Sequence, residues 1–421
     1  MSYSLFELAS GQQFYYDSHE NKIYNSGGEQ LSLSPELSLD WYREESKNHG
    51  VDTKVNNPVA IRVLLGHACN YSCSYCMQKD IGNPNERPES FHLETFVEQV
   101  QNNLDLSRLK RVELWGGEPF LYWKDMMRIM QLVDEPGREF FISTNGSPFV
   151  QKHVDFFKTL KSMVLINVSH DGPGQESLRG EDILKNPKKV DIIRQLMALP
   201  NVQVGFGSVV SSTNYDLFAI DEFFRKNFGD VKVTYIPVKN YDETNSQNSA
   251  NHMLRGEQLK EFSSIMQRFI QESLEGNTLL RSNILHSPEG VYAYAKFLTK
   301  AAPMVYGAQC GADSNDILSL DIRGNVRLCP HTSDKFISGH ISNIKGIKIV
   351  NMDLDRKKNH CYGCPVKRLC GSSCPIKFPN EVFYMNCAFE KVWWGNIQLA
   401  AMKLLFGQEV KLLKVGLDEI K

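Results

Sequence analysis

Between residues 59 and 274 the chain repeats one alternation six times: a short apolar run, then a stretch with helical periodicity. The runs are Ala60–Leu65, Val112–Trp115, Phe140–Ser143, Val164–Ser169, Val202–Val209 and Val231–Pro237. The helical patterns cover roughly Leu93–Leu104, Trp123–Val133, Pro148–Leu160, Val190–Leu199, Asp216–Asn227 and Gly256–Leu274. Strands separated by helices predict a parallel sheet with right-handed crossovers, an α/β fold. Sites in such sheets lie at the carboxyl ends of the strands. Those ends are therefore where chemistry is sought first.

The first run ends in Cys69-Asn70-Tyr71-Ser72-Cys73-Ser74-Tyr75-Cys76, three thiols at C-x3-C-x2-C spacing. Three cysteines on one loop can ligate three irons of a [4Fe–4S] cube, leaving the fourth iron open. Zinc is the plainer alternative, but a structural zinc site takes four ligands, commonly in CxxC pairs. The second strand ends in Gly116-Gly117-Glu118-Pro119. Its glycines allow close backbone approach, Glu118 supplies a carboxylate and Pro119 stiffens the turn. Ser143-Thr144-Asn145-Gly146 ends the third strand and Ser169-His170-Asp171-Gly172 the fourth, although Asn-Gly and Asp-Gly also favour ordinary turns. Gly205-Phe206-Gly207 lacks a third glycine and opens no helix, so it predicts close approach within the sheet, not a dinucleotide fingerprint.

The other seven cysteines lie further on. Gly324 precedes Cys329 by five positions, Cys310 comes earlier, and Cys361, Cys364, Cys370 and Cys374 form C-x2-C-x5-C-x3-C before Cys387. No basic and apolar signal opens the chain, so ten cysteines predict metal or redox use rather than disulfides, in a cytoplasmic setting. A formal charge of −2 gives no case for nucleic acid or an anionic membrane as main partner. No apolar run is long enough to span a bilayer.

These motifs together resemble the radical SAM superfamily, and the later cysteines resemble its SPASM extension. The resemblance covers residues 59–390. It implies a partial (β/α)6 TIM-like barrel over residues 58–305, and a SPASM domain over 306–390. An N-terminal segment, 1–57, and a closing helix, 391–421, complete the expected organisation. In the N-terminal segment, Gln13–Asp17 and Lys22–Tyr24 flank a hairpin turn, and Ser34-Pro35 caps a short helix. Gly50 to Pro58 reads as a linker, and the segment is either a peptide-docking element or an extra sheet edge. The polar stretch Asn240–Ser249 reads as a loop, and Ala388–Gly407 as an amphipathic helix.

The resemblance further implies three [4Fe–4S] clusters and S-adenosylmethionine. The triad Cys69, Cys73 and Cys76 would hold the cluster that cleaves the cofactor to a 5′-deoxyadenosyl radical. Gly116, Gly117, Glu118 and Pro119 would receive its methionyl amino group, and Ser169 and Asp171 its ribose. Ser143 and Asn145 would line the same pocket, Arg179 would pair the cofactor carboxylate, and Asn214 would be a further contact. Tyr75, Met77 and Gln78 would present backbone to the adenine. One auxiliary cluster would take Cys361, Cys364, Cys370 and Cys387, the other Cys310, Cys329 and Cys374. That assignment leaves one position unfilled, for which Asp316, Asp313, water or a substrate group are the candidates.

All ten thiols are then used, so no cysteine remains to quench a substrate radical. The expected activity is a peptide maturase that cross-links a ribosomally made precursor, forming C–C, C–O or C–S bonds with auxiliary clusters as electron acceptors. The expected electron donor is a flavodoxin or ferredoxin. The alternatives are an anaerobic sulfatase-maturating type of enzyme, forming formylglycine, and a non-catalytic iron–sulfur scaffold.

Overall fold

The computed structural model describes residues 3–33, 53–79, 81, 93–238, 250–276, 288–300, 310–349, 354–371 and 374–417. The expected helix at Ser34-Pro35, the start of the linker at Gly50 and the loop Asn240–Ser249 lie outside these residues.

The N-terminal strands are β1 (Tyr3–Leu8), β2 (Gln13–Asp17) and β3 (Lys22–Asn25). The six expected parallel strands are β4 (Ala60–Leu64), β5 (Arg111–Trp115), β6 (Glu139–Thr144), β7 (Met163–Ser169), β8 (Val202–Val210) and β9 (Lys232–Pro237). They pair in chain order, each parallel to the next. The helices Leu93–Asn103, Trp123–Val133, Gln151–Phe157, Pro187–Met197, Leu217–Phe228 and Glu257–Leu274 fall where the periodicity predicts them. Burial alternates along the strands. On β6 and β7, Phe140, Ile142, Val164, Ile166 and Val168 are buried, while Phe141, Ser143, Asn167 and Ser169 are half-buried on the opposite side. The first set belongs to the continuous core shared with the helices. The second gives the sheet a polar face.

Three features depart from the expected domain boundaries. First, β10 (Ile317–Asp321) pairs in parallel with β4, residue for residue, and β11 (Asn325–Arg327) and β12 (Ile337–His340) continue the same sheet in antiparallel fashion. The boundary expected at 305/306 therefore does not divide the sheet, which has nine strands among the described residues. Second, β13 (Val410–Leu417) pairs with β1, so residues beyond 391 are not only a helix. The N-terminal hairpin is real and forms a four-stranded sheet in the order β13-β1-β2-β3. Third, the closing helix runs from Asn380 to Phe406 and carries Cys387. It is buried on several sides rather than one, with Phe383, Phe389, Trp393, Trp394, Ile397 and Met402 all inside. The cause is its company: it packs against the helices Glu257–Leu274 and Pro288–Leu298 and against β13.

The small sheet is fastened to the cysteine-rich region. Ser18 Oγ donates to the Cys364 carbonyl at 3.0 Å, and Arg368 Nε donates to the Ser18 carbonyl at 2.7 Å. Among the described residues no helix is long and apolar enough to cross a membrane.

Candidate active site and cysteine sets

The triad loop leaves the carboxyl end of β4 and is stitched to the loops after β5, β6 and β7. The Gly117 N–H donates to the Gly66 carbonyl and the Glu118 N–H to the Ala68 carbonyl, each at 2.9 Å. This crossing needs glycine: a Cβ on Gly117 would stand 2.3 Å from the His67 oxygen and 2.4 Å from that of Ala68. Gly66 has φ of +155° and lies over the Tyr122 ring, where a Cβ would meet the hydroxyl at 2.3 Å. Tyr122 in turn accepts the Ala68 N–H at 2.8 Å. From the β6 side, Asn145 Nδ2 donates to Asn70 Oδ1 at 2.9 Å.

Glu118 is turned into the protein. It is 1% exposed. Thr144 Oγ1 donates to Oε1 at 2.7 Å, the Asn145 N–H to Oε2 at 2.7 Å, and the Phe120 N–H to Oε1 at 3.1 Å. Burial lifts its pKa to about 7 against the opposing pull of those donors. The sequence expectation gave this carboxylate to the cofactor's amino group; here three donors of the protein occupy it.

Asp171 and Arg179 likewise engage each other. Arg179 Nε donates to Oδ2 at 2.9 Å and Nη2 to Oδ1 at 3.2 Å. Asp171 also accepts the Tyr75 hydroxyl, and the Val209 N–H at 2.8 Å. Asn214 Nδ2 bridges the carbonyls of Asp171 and Val209 at 3.0 and 3.1 Å. Asp171 and Arg179, expected on ribose and on a carboxylate, are thus paired with each other beside the triad loop. Arg179 Nη1 reaches 3.9 Å from Cys73 Sγ, which places its charge beside that thiol. Ser143 and Ser169 remain at the polar face, their hydroxyls 3.5 Å apart, and Met77 is half-buried on the loop. Gly207 makes room for the Asn167 amide, 2.5 Å from where its Cβ would be, which matches the close approach read from Gly205-Phe206-Gly207.

The cysteines gather as three sets. Cys73 lies close enough to Cys69 and Cys76 for their charges to act on one another, and burial pushes the Cys69 and Cys73 thiols up to about 11. Cys374 stands in the same relation to Cys310 and Cys329, and burial raises Cys329 and Cys374 to about 12. Cys361, Cys364, Cys370 and Cys387 line one cavity, with Lys367 and Lys391 on its wall. Among the described residues no three His, Cys, Asp or Glu side chains converge on a point suited to one metal ion. A cube distributes its thiolates over separate irons, so a shared cavity of four thiols is the relevant fit, and the Cys361 set provides it.

Sequence reasoning missed a charged ladder on the sheet's polar face. Arg62 Nε donates to Glu113 Oε2 at 3.1 Å, across directly paired positions of β4 and β5. Arg111 Nε and Trp115 Nε1 also donate to Glu113, at 3.0 and 3.1 Å. Arg62 Nη2 reaches the Cys310 carbonyl at 2.6 Å, tying this face to the second cysteine set. The only signal was polar residues inside apolar runs, which strand alternation can explain without function.

A parallel α/β sheet with a three-thiol loop fastened across its strand ends defines a class of cofactor-binding α/β protein. Residues 63–237 match the model of the Radical SAM superfamily. It is 26% identical over 235 residues to the radical SAM cyclopropyl synthase TigE of Paramaledivibacter caminithermalis, covering 49% of this chain and 48% of that protein. It is 23% identical over 172 residues to the antilisterial bacteriocin subtilosin biosynthesis protein AlbA of Bacillus subtilis, covering 35% and 37%. The chain thus spans less than half the length of either relative. Its fold is similar to a solved structure of native anSMEcpe with bound AdoMet and Cp18Cys peptide, with TM-score 0.55, 17% identity, and coverage of 82% and 99%.

Proposed function

We propose that this chain is a radical SAM peptide maturase that carries a SPASM-type cysteine region and cross-links a ribosomally made precursor. The observation that carries the reading is the grouping of all ten cysteines. The triad sits at the strand ends, and the seven later cysteines fall into two further sets, which supports reading them as ligands of an auxiliary pair of clusters. A cluster on Cys69, Cys73 and Cys76 with bound S-adenosylmethionine supplies one-electron cleavage to a carbon radical. The residues do the rest. Gly116 and Gly117 keep the triad loop against the β5 turn. Tyr75, Asp171 and Arg179 fix its far side and hold a positive charge beside Cys73. Ser143, Asn167 and Ser169 present polar groups on the face below. The lining thiols of the Cys361 cavity and the Cys310, Cys329 and Cys374 set would hold the auxiliary clusters, which would supply an acceptor for the outgoing electron.

The name of AlbA, a bacteriocin biosynthesis protein, supports a peptide product, and that of TigE, a cyclopropyl synthase, supports a bond-forming step. The test has two arms. Anaerobic reconstitution with a strong reductant should yield 5′-deoxyadenosine from S-adenosylmethionine. Co-expression with candidate precursors should yield a peptide lighter by one hydrogen molecule per cross-link, with fragmentation interrupted between the joined residues. Formylglycine in its place moves the assignment to the sulfatase-maturating type; no deoxyadenosine at all leaves the scaffold.

A further inference from the structure

We propose that His331 is a nitrogen ligand that completes the iron–sulfur site at Cys310, Cys329 and Cys374; this rests on reading those thiols as cluster ligands. A cube has four irons to satisfy, and this set offers three thiols. The carboxylates considered from sequence have partners of their own in the protein. Asp316 Oδ1 accepts the Ser314 hydroxyl at 2.8 Å, and Oδ2 lies 3.7 Å from Arg108. Its carbonyl accepts the Val59 N–H, at the start of β4. Asp313 is the strongest charged neighbour of Lys54, whose buried ammonium is held by the carbonyls of Ala312, Ser314 and Ile317.

His331 has the opposite situation. It follows Cys329 by two positions, and its N–H donates to Cys329 Sγ at 3.5 Å, so the chain turns about that sulfur. The ring stands edge-on to Trp115 at 4.7 Å. Arg62 and Glu113 are charged neighbours of both the imidazole and the Cys329 thiol. Its Nδ1 is buried and has no hydrogen-bond partner among the described residues. A buried ring nitrogen without a partner is costly, and imidazole nitrogen is a common metal ligand. Histidine replaces cysteine at iron in other iron–sulfur sites, and raises their potential.

The test uses the full chain with Cys69, Cys73 and Cys76 each replaced by alanine, so that only auxiliary iron remains. After anaerobic reconstitution and reduction, pulsed electron paramagnetic resonance should show strong nitrogen coupling that changes on labelling histidine with nitrogen-15. His331→Ala should lose it, and Asp316→Ala should keep it. His331→Cys should bind the same iron, lose the coupling and show a lower midpoint potential. Full iron content without nitrogen coupling overturns the ligand assignment and leaves the cluster reading intact. A coupling that survives His331→Cys overturns it as well. Iron missing from the parent protein overturns both.

Discussion

Arg179 holds Asp171 with two prongs of its guanidinium, Nε on Oδ2 at 2.9 Å and Nη2 on Oδ1 at 3.2 Å, with the carboxylate side chain 0% exposed. The same carboxylate accepts the Tyr75 hydroxyl and the Val209 N–H. One buried anion therefore ties the triad loop to the ends of β7 and β8. Removing its charge strands a buried guanidinium, which costs about 3–5 kcal/mol. Removing only the phenol hydroxyl, whose bond is to a charged group, costs about 1.5–3 kcal/mol. Asp171→Asn should accordingly destabilise the chain more than Tyr75→Phe in denaturant unfolding, and should retain less iron at the triad. Equal effects of the two substitutions would show that the pair is not the fastening point.

Glu118 gives the fold a pH dependence with a defined sign. Burial raises its folded pKa from 4.5 to about 7. Between those values the native state binds more protons than the unfolded chain, so stability falls as pH rises. The contribution is fully present below 4.5 and is lost by about pH 7. A shift of that size corresponds to at most about 3 kcal/mol. Glu118→Gln should flatten this component of the stability profile, even while its amide sits poorly against the N–H groups of Asn145 and Phe120. A slope unchanged in the variant would assign the titration to another group.

The long helix Asn380–Phe406 joins an aromatic stack to a cysteine. Phe262 lies 5.8 Å from Trp393 with planes 13° apart, and Phe389 lies 5.7 Å from Trp393. Trp393 is 2% exposed. Trp393→Ala should cost about 3–5 kcal/mol. Because Cys387 rides on the same helix, the variant should also bind less iron at the cavity of Cys361, Cys364, Cys370 and Cys387. Iron counting alongside thermal unfolding separates the effects: iron retained in a destabilised variant would show that the stack supports the core alone.

The parallel strands were legible because a strand covered on both sides reads as an apolar run, and β4 through β9 fall within about a residue of the runs. The triad and the Gly116-Gly117 turn were legible because cysteine spacing and paired glycines are local signals. What was not legible is pairing across distance. β1 and β13 lie at opposite ends of the chain, and neither carries a turn signal pointing to the other. β10 continues the edge of β4 although some 250 residues separate them in sequence. The partners of Glu118, Asp171 and Arg179 were hidden for the same reason. A carboxylate at a strand end looks available until Thr144 and Asn145, or a guanidinium eight residues on, are seen to face it.

The glycine pair after β5 allows a graded test of the close crossing beneath the triad. A Cβ at position 116 would lie 3.1 Å from the Gly66 oxygen, a contact that a shift of a few tenths of an ångström relieves. At position 117 it would lie 2.3 and 2.4 Å from two successive carbonyl oxygens, His67 and Ala68, which are backbone and cannot rotate away. Those two residues lead directly into Cys69, so the displacement must pass into the triad. Overpacking of this kind costs about 1–3 kcal/mol, and the Gly117 N–H and Glu118 N–H bonds to the loop would lengthen with it. Gly116→Ala should remain near wild type in stability and in triad iron. Gly117→Ala should lose stability and most of the iron bound by Cys69, Cys73 and Cys76. The comparison is made in a background lacking the seven later cysteines, where all bound iron reports on the triad. Equal iron in the two alanine variants would mean that the crossing tolerates a side chain and that the loop is held chiefly from the Asp171 side.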